Sequence, residues 1–434
     1  MYGDYDTKKY PLLLALLGFL VVAVLTARLI VTFRTAVVLS EPVTLQCSGL
    51  SVPMPAGPGW QSQKQWKYLD NGFTLGSIFQ PTRTAPAVVV QCRYLLAAAK
   101  TSPAQQFRLK ASALRGLIEE TDRVETGTLT IDWAKITHKE NPVQTFFAVA
   151  DLPDNRSFNI EVHQVAGDDG PAEQVFKKVI AGLKFKPCEL LETGARIVTE
   201  IKNTASASLL PASRHESFFM IKDQKNRPLG FTMKIMLALP SETQPGIQAA
   251  SFLYAAEPRA REQVTLFQSA GSLDRFTWKS QSNAVFEKKA VEMNLSGNNV
   301  LSVKTFSPLP RQQDYQLGDA AIPEIFLDLF LVQMLNGDTK ETVVDLIDAD
   351  GAIVPALISK IETEDVSYEF SLQTLDNSGV IQKITLDSKK QISRILLQDA
   401  YILERTTAED ILMHFPERSE YILQTDKMFQ QEKL

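Results

Sequence analysis

The four histidines of this chain are the side chains best suited to acid–base or metal chemistry: His138, His163, His215 and His414. None has a second histidine or a cysteine two to four positions away, and the sequence holds no HExxH or CxxC motif. Zinc and haem sites with the usual ligand spacing are therefore not predicted. The phosphate-binding glycine loops and the GxSxG nucleophile elbow are also missing from the sequence. A Ser–His–Asp triad meets only in space, so a hydrolase with such a site remains an alternative.

Acidic residues are grouped at two places. The segment Asp345–Gly351 resembles part of an EF-hand calcium loop, but Leu346 occupies the position of the first aspartate and Leu357 that of the bidentate glutamate. We therefore predict a hairpin turn with Asp-Gly at its apex. Glu119 and Glu120 could form an acid–base pair, but consecutive helix positions point about 100° apart. A solvated face of a helix is the favoured interpretation, and neither a cofactor nor a metal is predicted.

Composition limits the class of protein. The 434 residues carry a net charge of -5, and hydrophobic residues make up 44% of them. This length and hydrophobic content are typical of a globular protein of two or three domains. The mildly acidic balance argues against nucleic-acid binding, which needs a basic face. Of the three cysteines, Cys47 and Cys188 lie near the two ends of one predicted domain and could pair in an oxidising compartment. With Cys92, they are more simply interpreted as small buried apolar side chains.

An apolar segment near the start of the chain, Pro11–Phe33, contains Arg28 as its only charge. Its 23 residues exceed the roughly 20 that cross a bilayer core, so we predict an uncleaved transmembrane helix after a stub over 1–10. A buried core helix is the alternative. Lys8 and Lys9 precede the span and Arg28 and Arg34 lie at its end, so the count of positive charges does not decide orientation. We expect a single-pass protein of the cell membrane with its N-terminus inside and the bulk of the chain extracytoplasmic.

The next region, residues 34–190, alternates strands with two predicted helices. Asn71-Gly72 lies between apolar runs, as in a tight hairpin. Pro103 opens a predicted helix that continues to about Asp122, and a second predicted helix covers residues 172–184. Residues 40–190 resemble the PsbP-like small domains, through Val52–Trp60, the Asn71–Phe73 hairpin and the closing Phe176–Pro187 segment. This resemblance implies an α/β/α domain that is largely non-enzymatic.

A small polar stretch over 191–213 is interpreted as a linker, and a long succession of strands follows over 214–417. One apolar helix, Pro323–Leu335, interrupts these strands, and a polar tail covers 418–434. The region resembles the curved antiparallel sheets of LolA/LolB-type domains, which also occur before bacterial transglutaminase domains. The matching pieces are Pro228–Phe231, the mid-domain helix and Ile384–Ile411. The resemblance implies binding, because no transglutaminase domain follows.

The predicted fold class is therefore α+β. It comprises an N-terminal transmembrane helix and two tandem domains, the second of them a larger curved antiparallel sheet with one packed helix. The predicted function is non-enzymatic binding of a partner protein or a lipid-like apolar ligand by an envelope protein anchored in the membrane. A structural subunit or assembly factor of a membrane complex is the first alternative, and a hydrolase is the second. The Pro323–Leu335 helix is apolar on nearly all sides. It therefore either packs into the concave face of the sheet, as we favour, or docks on a partner. The predicted ligand or partner surface consists of Trp60, Phe326, Leu329, Phe330 and Met334.

Overall fold

The computed structural model of the protein describes residues 15–26, 37–80, 87–98, 101–140, 143–165, 172–204, 214–239, 246–256, 260–269, 273–284, 288–307, 309–362, 367–376, 379–398 and 400–423.

Strands dominate the structure, with 53% of the residues against 21% in helices. The predicted fold class, an N-terminal transmembrane helix followed by two α+β domains, is therefore wrong. Helix α1 covers residues 15–26 of the predicted span. Within the described ranges, no helix combines the length and apolar character that crossing a membrane requires. The remainder of the predicted span, 11–14 and 27–33, lies outside the described residues.

The N-terminal unit (residues 37–204) is built on an eight-stranded antiparallel sheet in the order β5-β7-β8-β12-β11-β10-β9, with β6 also paired to β7. The strands of this unit are β1 (Val38–Leu39), β2 (Val43–Thr44), β3 (Leu50–Val52), β4 (Pro55–Ala56), β5 (Trp60–Ser62), β6 (Lys67–Tyr68), β7 (Gly72–Phe79), β8 (Val88–Leu95), β9 (Gly116–Thr126), β10 (Leu129–His138), β11 (Val143–Leu152), β12 (Arg156–Val165) and β13 (Lys184–Phe185). Its helices are α2 (Pro103–Ala113), α3 (Ala172–Ala181) and α4 (Glu189–Asn203).

The sheet is covered on both faces. Successive strand residues point to opposite sides, so Phe146 and Ala148 of β11 join the core with α3, whereas Phe147 and Val149 pack with Phe107 of α2. The prediction of one helix from Pro103 to Asp122 is wrong in its second half, because α2 ends at Ala113. Arg115 then adopts a left-handed φ of 50°. The chain continues as β9, which pairs along its length with β10. Tertiary pairing there overrides the helical spacing of Leu117 and Ile118.

Residues 189–203 form helix α4, where the sequence suggested a linker. Leu191, Ile197, Val198 and Ile201 are buried. Their spacing of three and four residues places them on one face of the helix. Domain boundaries at 190 and 214 stay a prediction.

The C-terminal unit (residues 214–423) is one fifteen-stranded sheet in the order β21-β20-β19-β18-β17-β16-β15-β14-β28-β27-β26-β25-β24-β23-β22. Its strands are β14 (Arg214–Asp223), β15 (Pro228–Leu239), β16 (Gly246–Ala255), β17 (Arg261–Ser269), β18 (Phe276–Ala284), β19 (Lys288–Leu295), β20 (Val300–Thr305), β21 (Arg311–Gln316), β22 (Ala321–Pro323), β23 (Glu341–Ile347), β24 (Ile353–Ile361), β25 (Tyr368–Thr374), β26 (Ile381–Leu386), β27 (Ile392–Leu397) and β28 (Tyr401–Thr406). Helices α5 (Leu327–Asn336), α6 (Ala408–His414) and α7 (Ser419–Leu423) complete it.

Strand β14 lies at the centre of this sheet. The chain runs outward from β14 to β21 and returns from the opposite edge to β28, which pairs antiparallel with β14. Among the strands of the described residues, only β22 and β23 pair in parallel. The succession of antiparallel strands and the single apolar helix that the sequence predicted are both present here.

Helices cover the two faces of the large sheet at different places. On one face, Phe326 and Phe330 at the start of α5 are fully buried, and the Phe326 ring contacts that of Phe267 at 4.8 Å between centroids. On the other face, α6 and α7 cover β14–β17, where Phe415 packs on Phe231 at 5.6 Å. The α5 helix therefore lies on the sheet as a cover, which is the arrangement favoured from the sequence.

The two units share one continuous buried core. At their junction, helix α4 lies on β23 so closely that a Cβ added to Gly194 would stand 1.9 Å from the Val343 carbonyl oxygen. The Arg156 guanidinium meets the Asp345 carboxylate at 2.7 Å, and both side chains are almost wholly buried. The Tyr68 hydroxyl also donates to the Ile353 carbonyl at 2.7 Å.

Candidate functional site

A cavity of about 670 Å³ lies between the large sheet and the segment that leads into α5. Seven neighbouring strands, from β18 through β14 to β27, form one wall, and residues 324–332 form the other. Small-molecule sites in proteins usually enclose about 300–1,000 Å³. The cavity therefore has the size of a ligand site.

The period of the strands explains why the wall is assembled from these residues. Side chains at every second position share a face of a sheet. His215, Ser217 and Phe219 of β14 accordingly line the cavity together, as do Thr232, Lys234 and Met236 of the adjacent β15. The remaining lining of the wall follows the same alternation or comes from the turn before β27: Ser251, Leu253, Gln263, Thr265, Trp278, Lys389, Lys390, Gln391, Ile392, Ile395, Leu403 and Arg405.

The five residues predicted to form a ligand or partner surface are not brought together at the cavity. Leu329 lines it, whereas Phe326, Phe330 and Met334 are fully buried on the core side of the helix. Trp60 lies in the N-terminal unit and packs on Phe79 at 5.0 Å between ring centroids. An all-apolar helix has both a core face and a cavity face, and sequence alone does not tell which residue belongs to which.

Charged side chains contribute to both walls of the cavity. The Lys234 ammonium forms an ion pair of 2.9 Å with Asp328 and also donates to the Ile325 carbonyl, which fixes the start of α5 on the sheet. The Lys390 ammonium donates to the Asn336 side-chain carbonyl at 2.7 Å, while Lys389 is exposed. These charges were missed in the sequence. A lysine within the otherwise apolar alternation of residues 229–239 was the available signal.

The described lining residues include two carboxylates. Asp328 pairs with Lys234, whereas no ion pair is shown for Glu324. Its side chain lines the cavity and is exposed, although protein surrounds its carboxyl group closely. Its Oε1 accepts a hydrogen bond of 3.2 Å from the Ala349 N–H. Burial by the surrounding protein raises the pKa of Glu324 to about 7, and the nearby carboxylate of Asp348 adds to this effect. A protonated Glu324 can donate a hydrogen bond into the cavity near neutral pH.

The segment that resembled a calcium loop forms a turn beside this carboxyl group. Strands β23 and β24 pair up to Ile347 and Ile353, and the Asp348 side chain accepts hydrogen bonds from the Asp350 and Ala352 N–H groups at 2.9 and 2.8 Å. The predicted hairpin turn is confirmed. In the described part of the chain, no group of three His, Cys, Asp or Glu residues is placed to hold a metal ion.

A hydroxyl–imidazole–carboxylate chain lies in the N-terminal unit. The Thr145 hydroxyl is 2.9 Å from His163 Nδ1, and His163 Nε2 is 3.1 Å from Glu161. The Lys110 ammonium also meets Glu161, at 2.6 Å. Burial opposes ionisation of Glu161, but the hydrogen bonds from His163 and Lys110 lower its pKa to about 2. Thr145 has no exposed surface, so a substrate has no access to the hydroxyl in this conformation. The Lys110–Glu161 contact links this hydrogen-bonded group to α2 and so holds the helix on the sheet.

Cys47 and Cys188 come together, as their positions in the sequence suggested they could. Both thiols are free and half-buried, and their side chains hydrogen-bond to each other. That hydrogen bond, with the backbone N–H groups of Leu191 and Leu190, lowers the pKa of Cys188. Cys92, by contrast, is fully buried, which raises its pKa to about 12.

No model of a protein family matches the chain, and no curated protein matches its sequence. A beta-barrel-like protein of the domain of unknown function DUF1849 from Brucella abortus is similar over 46% of this chain and 98% of its own, with 9% identity and a TM-score of 0.32. A DUF1089 family protein from Pseudomonas aeruginosa is similar over 42% of this chain and 89% of its own, with 8% identity and a TM-score of 0.19. The resemblances to PsbP-like and LolA/LolB-type domains stay predictions.

Proposed function

We propose that this protein binds an apolar small molecule in the cavity between the large sheet and helix α5, without catalysing a reaction. The observation that supports this most is the cavity itself: about 670 Å³ bounded by seven adjacent strands and one helix. Side chains such as Met236, Leu253 and Leu403 give the wall its apolar character. Burial of a ligand's apolar surface there would contribute roughly 25 cal/mol for each Å².

The geometry of α5 favours a ligand over a partner protein at this place. On the side of α5 that faces away from the cavity, Phe330 and Met334 are buried in the core without exposed surface and hold the helix in place. The Lys234–Asp328 ion pair holds its first turn on β15. A cover fixed at these points leaves a preformed space beneath it, and preformed cavities are typical of small-molecule sites.

Hydrolase activity is the second candidate, and the Thr145–His163–Glu161 chain is the observation in its favour. A catalytic hydroxyl must reach its substrate, and Thr145 has no exposed surface. Labelling of the full chain with a fluorophosphonate probe tests this candidate. We expect no label, and a label that disappears in Thr145→Val would establish the hydrolase instead.

Binding is tested by titrating the full chain with the neutral fluorescent probe N-phenyl-1-naphthylamine. We expect saturable binding at one site. Leu253→Trp fills the cavity and should weaken that binding at least tenfold. Gln268→Trp, which adds the same indole at an exposed position of β17 outside the lining, is the matched control and should leave it unchanged.

Circular dichroism and thermal melting of both variants keep the result interpretable. Absence of saturable binding to the parent chain would contradict the proposal. So would equal binding by a folded Leu253→Trp variant and the parent.

A further inference from the structure

The charges around the cavity are unequally distributed, and this distribution bears on the ligand's chemistry. The lining contains four cationic side chains, Lys234, Lys389, Lys390 and Arg405, and two carboxylates. Lys234 and one carboxylate, that of Asp328, neutralise each other at 2.9 Å. The other carboxylate, Glu324, lies on the opposite wall from the three remaining cations.

Those three cations lie on neighbouring structural elements. Lys389 and Lys390 occupy the turn between β26 and β27, and Arg405 lies on β28, which pairs with β27. The turn is held by Asp387, whose carboxylate accepts the N–H groups of Lys389 and Gln391 at 2.9 Å each and meets Arg405 at 3.7 Å. Among the described residues, Asp387 is the one carboxylate shown in contact with the charged groups of these three side chains, and it meets only that of Arg405, so this side of the cavity carries net positive charge.

Apolar side chains begin directly beside these cations. Ile392 and Ile395 of β27 and Leu403 of β28 line the cavity next to the turn and keep part of their surface accessible. Met236 and Trp278, which also line the cavity, are almost fully buried. The cavity therefore places apolar side chains beside a cluster of cations, which matches a molecule with an anionic head and an apolar tail.

We infer that the ligand is a single-chain anionic amphiphile, with its head group at Lys389, Lys390 and Arg405 and its tail against the neighbouring apolar side chains of Ile392, Ile395 and Leu403. This inference rests on the proposed function, since it names the class of ligand for the same cavity. Carboxylate and phosphate head groups both suit a cluster of lysine and arginine donors.

The test compares chains of equal length and different charge on the full-length protein. The protein is first loaded with the probe N-phenyl-1-naphthylamine. Palmitate, hexadecanol or hexadecyltrimethylammonium is then added below its aggregation concentration, and displacement of the probe gives the affinity of each chain. We expect palmitate to bind about fivefold or more tightly than hexadecanol, as two or three partly screened charge contacts provide. Hexadecyltrimethylammonium should bind most weakly. Hexadecyl phosphate distinguishes the two anionic heads: tighter binding than palmitate identifies a phosphate, and weaker binding a carboxylate.

The double variant Lys389→Gln/Lys390→Gln should remove most of the preference for palmitate and leave hexadecanol unchanged. The matched control, Lys288→Gln/Lys383→Gln, removes the same charge from exposed lysines outside the cavity lining and should keep the preference.

The outcomes separate the two proposals. Failure of every amphiphile to displace the probe would contradict the proposed function itself. Equal binding of palmitate and hexadecanol, or a preference for the cationic chain, would leave the cavity as an apolar site and overturn the inference. Binding to anionic phospholipid vesicles alone, with no displacement by single chains, would also overturn it.

Discussion

Arg156 and Asp345 form a buried ion pair of 2.7 Å across the junction of the two units, although 189 positions separate them in the chain. Arg156 opens β12 and Asp345 lies in β23, so the contact joins the two sheets. The Tyr94 hydroxyl lies 3.3 Å from the same guanidinium. Two charges removed from water depend on each other, and loss of either one leaves an uncompensated buried charge.

Arg156→Met should therefore reduce the free energy of unfolding by about 3–5 kcal/mol, because it leaves Asp345 buried without its partner. Urea denaturation followed by circular dichroism measures this. Lys177→Met breaks an exposed ion pair with Glu173 and should cost less than about 1 kcal/mol. Equal losses in the two variants would show that the Arg156–Asp345 pair does not support the junction.

The close approach of α4 to β23 gives a second prediction. Gly194→Ala places a Cβ against the Val343 carbonyl oxygen. Helix and strand must then separate, which we expect to cost at least about 1–3 kcal/mol of stability, as overpacking does. Gly337→Ala is the control, since its Cβ would meet nothing closer than 3.5 Å. Thermal melting compares the two, and an unchanged melting temperature in Gly194→Ala would contradict this packing.

Glu324 makes stability depend on pH. Burial raises the pKa of its carboxyl group from 4.5 to about 7, so the folded protein holds this proton at pH values where the unfolded chain has released it. The contribution of Glu324 is fully present below about pH 4.5 and is lost as pH rises through 7. Stability should therefore fall over that interval, and Glu324→Gln should flatten the fall.

Urea midpoints measured from pH 4 to 8 on the parent and on Glu324→Gln provide the comparison. Glu417→Gln, at an exposed position, should keep the slope of the parent. A Glu324→Gln profile parallel to that of the parent would show that this carboxyl group is not the source.

The thiols should differ in reactivity. The hydrogen bond from Cys47 lowers the pKa of Cys188, whereas burial raises that of Cys92 to about 12. Because the thiolate is the nucleophile, iodoacetamide at pH 7 should alkylate Cys188 first in the folded protein and Cys92 last. Peptide mass spectrometry over time measures the order. In Cys47→Ser, alkylation of Cys188 should slow. Early modification of Cys92 would indicate that the core around it opens.

Much of the large sheet was predictable from local pattern. Alternating residues such as Met233 and Ile235 marked β15, and Asp-Gly marked the turn before β24. The N-terminal transmembrane helix was predicted from local hydropathy, and within the described residues no helix is long and apolar enough to cross a membrane. The predicted helix over Pro103–Asp122 is wrong in its second half, because Leu117 and Ile118 fit a helical face but pair with β10 instead.

The cavity was less predictable than the fold. Its lining comes from seven strands whose order along the sheet depends on the pairing of β14 with β28, and no local pattern encodes that pairing. Leu329 and Phe330 are neighbours in one apolar run, yet one lines the cavity and the other is in the core. In the sequence, Arg405 and Lys389 resemble ordinary surface charges. That both line the cavity follows only from the arrangement of the strands around them.

The central position of β14 also has a consequence for how the chain folds. Phe218 of β14 pairs with Thr406 of β28. The first strand of the unit to be synthesised therefore cannot complete its pairing until the last strand has been made. Pairings so distant in sequence carry a high loop-closure entropy and make folding slow. Until β28 arrives, one edge of β14 is open to strands of other molecules, which is the usual route to aggregation. A chaperone that shields this edge during synthesis should therefore raise the yield of the full chain.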